Sequence, residues 1–417
     1  MPAQNKSSRI DKWLLQKIYR AAGQPAVQLR LRNGAEVSPK AARAVANIVI
    51  EDRRTLLRLL LDPEVEFGDA YSKGRITLEG DLVSALEILY RSMPDAEHHR
   101  WYVKLVSKCM EYVQQNSLRG SRRNIHRHYD LNTDFYRLWL DPQLVYTCAY
   151  YASPGATLEE AQAAKLDYVC RKVQLQPGER VVEAGCGWGA LALHMAKNHG
   201  VTVRAFNISR EQILFARERA KELGLSQRVE FLEDDYRNIS GECDAFVSVG
   251  MLEHVGREHY GELGSIIDRS LAKTGRGLLH FIGRNHPQPF SMWTRKRIFP
   301  GAHAPALGEV MQVFEPWDLS VVDVENLRPH YARTLEHWLA RFEKSEQQIS
   351  EMFSPEFMRA WRLYLAGAVA GFHAGTLQLF QIVFTRTACQ HLPWTRAHLY
   401  AKEQHEEPET KWMHATS

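Results

Sequence analysis

The sequence predicts an α/β protein: a doubly wound, mostly parallel sheet with a lid insertion, preceded by a smaller mixed α+β N-terminal domain. Three observations predict this. Residues 181–195 read VVEAGCGWGALALHM, a short apolar strand, a glycine-rich turn and a mostly apolar helix. Strand-like and helix-like segments then alternate as far as residue 281, the rhythm of a parallel sheet with crossover helices. Gly185, Gly187 and Gly189 alternate along the turn. Lacking a Cβ, they let backbone N–H groups and a helix N-terminus approach a ligand. Ligands in such folds sit at the carboxyl ends of the strands.

Taken in chain order, residues 1–117 form the N-terminal domain, with a strand at 26–31 and helices at 53–61 and 82–92. Residues 118–125 are polar and basic and read as a linker, and 126–390 form the catalytic domain. Its first strand precedes the glycine turn. A second strand covers 201–206 and a helix 209–223, opened by Ser209 and Gln212 in the S-x-x-Q pattern of a capping box. Further strands follow at 229–232, 245–249 and 277–281. Residues 287–325 break the rhythm with Pro287, Pro289, Pro300, Pro305 and Pro316 and read as the lid or insertion. A helix at 361–376 and a last strand at 377–384 close the domain, and 391–417 are a polar tail.

A chain of 417 residues with 45% hydrophobic and 24% charged residues fits a soluble globular protein of two or more domains. No apolar run approaches the ~18–20 residues that span a bilayer. Arg9, Asp11 and Lys12 interrupt any signal-peptide core. Cys109, Cys148, Cys170, Cys186, Cys243 and Cys389 contain no C-x-x-C pair and no metal-site spacing, so no metal is expected and a reducing cytoplasm fits. The formal charge of +4 is too small to imply a nucleic-acid partner. Local clusters say more. Arg119, Arg122, Arg123 and Arg127 form one, and Arg295, Lys296 and Arg297 beside Trp293 form another. Each reads either as a hold on anionic lipid or as a solvated face.

The turn reads E-x-G-C-G-x-G over 183–189, not the G-x-G-x-x-G of dinucleotide sites. It resembles the first motif of class I S-adenosylmethionine (SAM) methyltransferases, a Rossmann-like fold. Five further segments occur around it: HYDL at 128–131, LDPQLVYTCAYY at 140–151, VSVGMLEHVG at 247–256, LLHFIG at 278–283 and RPHYARTL at 328–335. This set and order resembles the cyclopropane-fatty-acid synthase family, including the mycolic-acid cyclopropane synthases, over roughly residues 122–386. EFGDAYSKGRITLEGDL at 66–82 looks, more loosely, like the lipid-contacting domain of the phospholipid-acting members.

The resemblance implies SAM as methyl donor and a bound bicarbonate ion as base. The cofactor would contact Tyr146, Thr147, Glu183, Gly185, Gly187, Gly189, Asn207, Ile208, Ser209, Gln212, Asp235 and Tyr236. The second strand ends without the usual ribose-binding acid, so Asn207 and Gln212 are expected to supply amide contacts. Thr147 stands where serine is more usual and keeps the hydroxyl. Bicarbonate would be held by Cys148, Glu253, His280, Ile282 and Tyr331. Cys148 and Ile282 would act through backbone groups, His280 and Tyr331 would donate, and Glu253 would accept the ion's hydroxyl. For single residues core packing competes with each role; the joint pattern favours the site. Catalytic roles then fall to Glu253, His280, Tyr331 and Cys148. A carbocation on the acyl chain needs a dry, apolar wall, for which Tyr146, Tyr150, Phe281 and Trp293 are candidates, each with core packing as the rival reading.

The expected reaction is methylene transfer to the cis double bond of unsaturated phospholipid, with a methyl- or methylene-branched product as the alternative. A small-molecule methyltransferase and a non-catalytic lipid carrier are more distant rivals. The implied setting is cytoplasmic, peripheral on the inner membrane face, as a homodimer without nucleic acid.

Overall fold

The computed structural model describes residues 9–40, 43–93, 132–389 and 392–400. The HYDL segment, the 118–128 basic stretch, the 118–125 linker and the tail from Lys402 lie outside the described residues.

Near the N-terminus, β1 (Val27–Leu31), β2 (Glu36–Val37), β3 (Ala46–Ile50) and β4 (Ile76–Glu79) form a sheet ordered β2-β1-β3-β4, with β1 and β3 parallel. Helices Arg9–Ala21, Arg53–Leu61, Pro63–Ser72 and Leu82–Ser92 accompany it. Asp52 and Asp81 start two of these helices by accepting from the amides of Thr55 and Ser84, each at 2.7 Å. The core of this region is not its own. Leu15, Val27, Leu56, Ile76 and Ala85 share one buried cluster with Trp293, Ile298, Leu363, Ala366 and Ala370 of the larger region.

The larger region holds a seven-stranded sheet ordered β10-β11-β9-β8-β5-β6-β7. The strands are β5 (Arg180–Ala184), β6 (Thr202–Asn207), β7 (Val229–Glu233), β8 (Cys243–Val249), β9 (Leu271–Gly283), β10 (Leu319–Asn326) and β11 (Gln378–Arg386). The five strands β7-β6-β5-β8-β9 are parallel; β11 runs antiparallel to them, and the edge strand β10, antiparallel to β11, shares their direction. From β5 the chain proceeds outward through β6 and β7, then returns to β8 on the other flank. The switch point, and with it the ligand crevice, lies between β5 and β8.

Four expectations need correction. Glu183 is the penultimate residue of β5 rather than part of the turn. The insertion at 287–325 does not remain outside the sheet: its end forms the edge strand β10, whose half-exposed alternation VVDVEN hid it. The Ser209–Gln212 box is only half formed. Ser209 Oγ accepts the Gln212 amide, but the Gln212 side chain turns to Asn207. The 295–297 cluster is no open basic surface. Trp293 and Arg295 are buried, and Arg297 pairs with Asp69. Trp293 lies so close over Gly68 that a Cβ there would come within 2.4 Å of the ring.

Among the described residues no helix is long and apolar enough to cross a membrane.

Candidate active site

All three turn glycines adopt positive φ (86°, 53° and 84°), which L side chains resist. Their surroundings separate their tasks. A Cβ at Gly185 would meet Met251, and one at Gly189 would meet Phe231 and Ala216, whereas one at Gly187 would meet nothing within 4 Å. Gly185 and Gly189 therefore allow close packing, and Gly187 faces open space. Gly189 caps the helix Ala190–His199.

That space is a cleft of about 1080 Å³, open in part to solvent. It is lined by Tyr146, Thr147, Glu183, Gly185, Gly187, Asn207, Ile208, Gln212, Asp235 and Tyr236. Gly189 and Ser209, the other expected cofactor residues, do not line it: one packs a helix on the sheet, the other caps a helix. Buried polar atoms of the cleft residues lack hydrogen-bond partners among the described residues, namely Glu183 Oε2, Gln212 Nε2 and Tyr236 OH. A polar ligand that completes them fits. Asn207 donates to Gly187 O at 3.3 Å and to Gln212 Oε1 at 2.7 Å, so the two amides brace each other across the turn. Asp235 is tied to Arg237, whose backbone N–H and Nε it accepts.

Lys165 was missed. It sits on the apolar stripe of the helix Leu158–Lys172, 2% exposed, and donates to Thr147 Oγ1 at 3.1 Å. A lysine among Ala161, Leu166 and Val169 was its signal. Burial lowers it to about 8, opposed by the charges of Asp141, Cys148 and Glu183. Burial likewise raises Glu183 to about 8, opposed by Lys165.

The expected anion-site residues lie beside this cleft. Glu253 is the second residue of the short helix Leu252–Val255 after β8. Its Oε1 accepts the Ile282 N–H at 2.7 Å, and its Oε2 is buried without a partner. Burial raises its carboxyl to about 7. The Ile282 amide thus orients Glu253. His280 is 2% exposed. It shares a face of β9 with Ile282, as residues two apart do. Gln381 on the paired strand contacts its Nδ1 at 2.9 Å. With the amide nitrogen donating, the ring proton sits on Nε2, which is buried and unpartnered. Burial holds this imidazole well below its usual range. Gln381 was readable as the glutamine inside the apolar run QLFQIVF.

Cys148 and Tyr331 fall in one aromatic cluster with Tyr136, Trp139, Trp188 and Trp338, with Ile282 packed against it. The Cys148 thiol donates to Ala149 O at 3.1 Å, and burial pushes its pKa up, away from the thiolate form. Thr334 supports this loop by accepting the Ala149 N–H at 3.0 Å. Of the wall candidates, Tyr146 belongs here: its ring packs on Trp139 and Trp338, and its hydroxyl is 3.0 Å from that of Tyr364. Tyr150 instead stacks between Tyr168 and His330. Phe281 points to the opposite face of β9, against Phe380. Trp293 lies in the N-terminal core.

Comparison with known proteins places the chain in a family. The family profile described as mycolic acid cyclopropane synthetase matches residues 116–382. A probable fatty acid methyltransferase of Pseudomonas putida is 32% identical over 90% of this chain and 96% of its own length. The cyclopropane-fatty-acyl-phospholipid synthase of Escherichia coli K12 is 40% identical over 62% of this chain and 66% of its own. The crystal structure of mycolic acid cyclopropane synthase CmaA1 with SAH and CTAB superposes with a TM-score of 0.61 at 31% identity, covering 64% of this chain and 98% of that one. The chain belongs to the mycolic acid cyclopropane synthetase family and is a SAM-dependent methyltransferase.

Proposed function

We propose that this enzyme transfers the methyl carbon of SAM, as a methylene bridge, to the cis double bond of unsaturated acyl chains in membrane phospholipid, with bound bicarbonate as the base. The observation that carries the reading is the pair Glu253 and His280. One Glu253 oxygen is fixed by Ile282, while its second oxygen and His280 Nε2 are buried without partners in apolar surroundings. Such groups destabilise the fold unless something completes them. A small anion bearing one proton does so, donating to Glu253 and accepting from His280. When bound, SAM supplies an electrophilic methyl group and bicarbonate a proton acceptor. The acyl double bond would accept that methyl with loss of the donor's thioether, and the substrate carbocation would close to a ring as one methyl proton passes to the base. Tyr146, Trp139 and Trp338 offer aromatic faces to that cation and keep water out.

Two tests decide it. Expressed in a host without cyclopropane lipids, the enzyme yields acyl chains heavier by one methylene whose fragmentation shows a ring. Unchanged lipids would refute the substrate. Bicarbonate-depleted buffer slows turnover and added bicarbonate restores it; indifference to bicarbonate would refute the base.

A second reading is a branched product from the same cation by hydride shift. The P. putida relative favours it, since that probable fatty acid methyltransferase aligns across both regions of this chain. The same fragmentation experiment separates the two.

The reading includes peripheral contact with the inner membrane face, as a homodimer. In its support, the helix Arg9–Ala21 exposes Ile10 and Trp13, with Lys17 over the Trp13 ring, beside Leu57 and the 86% exposed Leu61. Sedimentation with anionic vesicles that Trp13→Ala abolishes would support it; equal sedimentation of the variant would count against this surface.

A further inference from the structure

We propose that the interface between helices Leu158–Lys172 and Ala190–His199 binds a zinc-class divalent ion, ligated by Cys170, His194 and His199 with Asp167 as fourth ligand. The thiol and the two imidazoles each place a ligand atom within 4.8 Å of the others. Zinc holds sulfur at about 2.3 Å and nitrogen at about 2.0 Å, so its ligand atoms end about 3.3–3.8 Å apart. Rotation of two helix-borne imidazoles spans that difference. Asp167 precedes Cys170 by about one helical turn, and its Oδ1 lies 3.7 Å from His199 Nε2. Arg171 pairs with the other oxygen at 3.0 Å, leaving Oδ1 directed at the cluster.

Two further observations fit a ligand rather than packing. His199 Nε2 is buried with no hydrogen-bond partner among the described residues. One thiolate and one carboxylate also neutralise a divalent cation, which a largely buried site requires. Sulfur, two nitrogens and an oxygen suit tetrahedral zinc, and the thiol proton is released as the metal–sulfur bond forms. Ligands drawn from two helices escape a search for paired cysteines. The site's ligands on the helix Ala190–His199 lie about 7 Å (His194) and about 15 Å (His199) along the axis from Gly189. Its role is to clamp the two helices that flank β5, not to touch the cofactor.

The test uses the full chain, stripped with chelator and titrated with Co²⁺. The expected result is one equivalent bound, with the intense visible bands of tetrahedral cobalt and a near-ultraviolet thiolate band, displaced by Zn²⁺ and accompanied by a higher Tm. H199A, at a partly exposed position, keeps the fold and weakens binding more than about a hundredfold, beyond the loss from disturbing an outer-shell group. C170S abolishes the thiolate band. A featureless titration, or bands unchanged in a folded H199A protein, would overturn the proposal.

Discussion

Where the cofactor cleft relies on backbone conformation, with three glycines at positive φ, the Glu253–His280 pocket relies on side chains held buried and incompletely bonded. The cleft is braced from within: Asn207 and Gln212 hold each other, and Asp235 is tied to Arg237. In the pocket, one Glu253 oxygen and one His280 nitrogen are withheld from any internal partner. The cleft spends its polar groups on bracing the turn, whereas Glu253 and His280 each keep one buried atom without a partner, and the fold is weakened by it.

The largest break in this comparison is expected at Glu253. Glu253→Gln keeps the contact with the Ile282 amide but cannot accept the anion's hydroxyl. Turnover should fall by about 10²–10³, the scale of losing one preorganised catalytic partner, while SAM affinity by calorimetry stays unchanged. Loss of both together would mean that cleft and pocket are a single unit. In the wild type, kcat/KM should rise as pH climbs through about 7, where Glu253 loses its proton, and the Glu253→Gln enzyme should lack that step.

Next comes Gly189→Ala. The new methyl would meet Phe231 at a backbone angle that resists a side chain, so stability should drop by about 2–3 kcal/mol in denaturant melts. Gly187→Ala has open space and should cost stability only about 1 kcal/mol, but should raise the SAM Kd. If the two variants behave alike, the division of labour within the turn is wrong.

Glu253→Gln should also stabilise the fold at pH 8. The folded carboxyl titrates near 7, above its usual 4.5, so its proton is held more tightly in the native state. The resulting penalty is absent below pH 4.5 and complete above 7, on the order of 3 kcal/mol. The variant's advantage should therefore appear at pH 8 and vanish at pH 4.5; equal melts at both would refute an unpaired buried carboxylate. The smallest effect is Tyr364→Phe, which removes the hydroxyl contact to Tyr146 and should cost about 1 kcal/mol in chemical denaturation.

The same contrast explains what was legible in the sequence. Backbone-driven features announce themselves locally. The glycine turn, β6 to β8 and the Leu82–Ser92 helix follow from spacing and caps within a few residues. Features made by distant partners do not. Phe281 alternates with His280 and Ile282, so strand periodicity alone places it on the opposite face of β9, but which face meets the cleft depends on helices elsewhere in the chain. Trp293 looked like a surface aromatic beside basic residues until Gly68 and Asp69 came to cover that segment. Glu253 and Ile282 were each expected at the anion, and their direct bond joins residues that no short motif connects.

The helix Pro355–Ala374 gives Leu363, Ala366 and Ala370 to the N-terminal core and Trp361, Leu365 and Val369 to the aromatic cluster around Tyr331. It is a party wall between two rooms. Severing the first 93 residues would not release a trimmed enzyme; it would strip one side of that wall to water and leave an apolar strip prone to self-association. The two regions are therefore expected to melt as one cooperative unit, and the N-terminal region is as much masonry for the reaction chamber as it is an attachment to it.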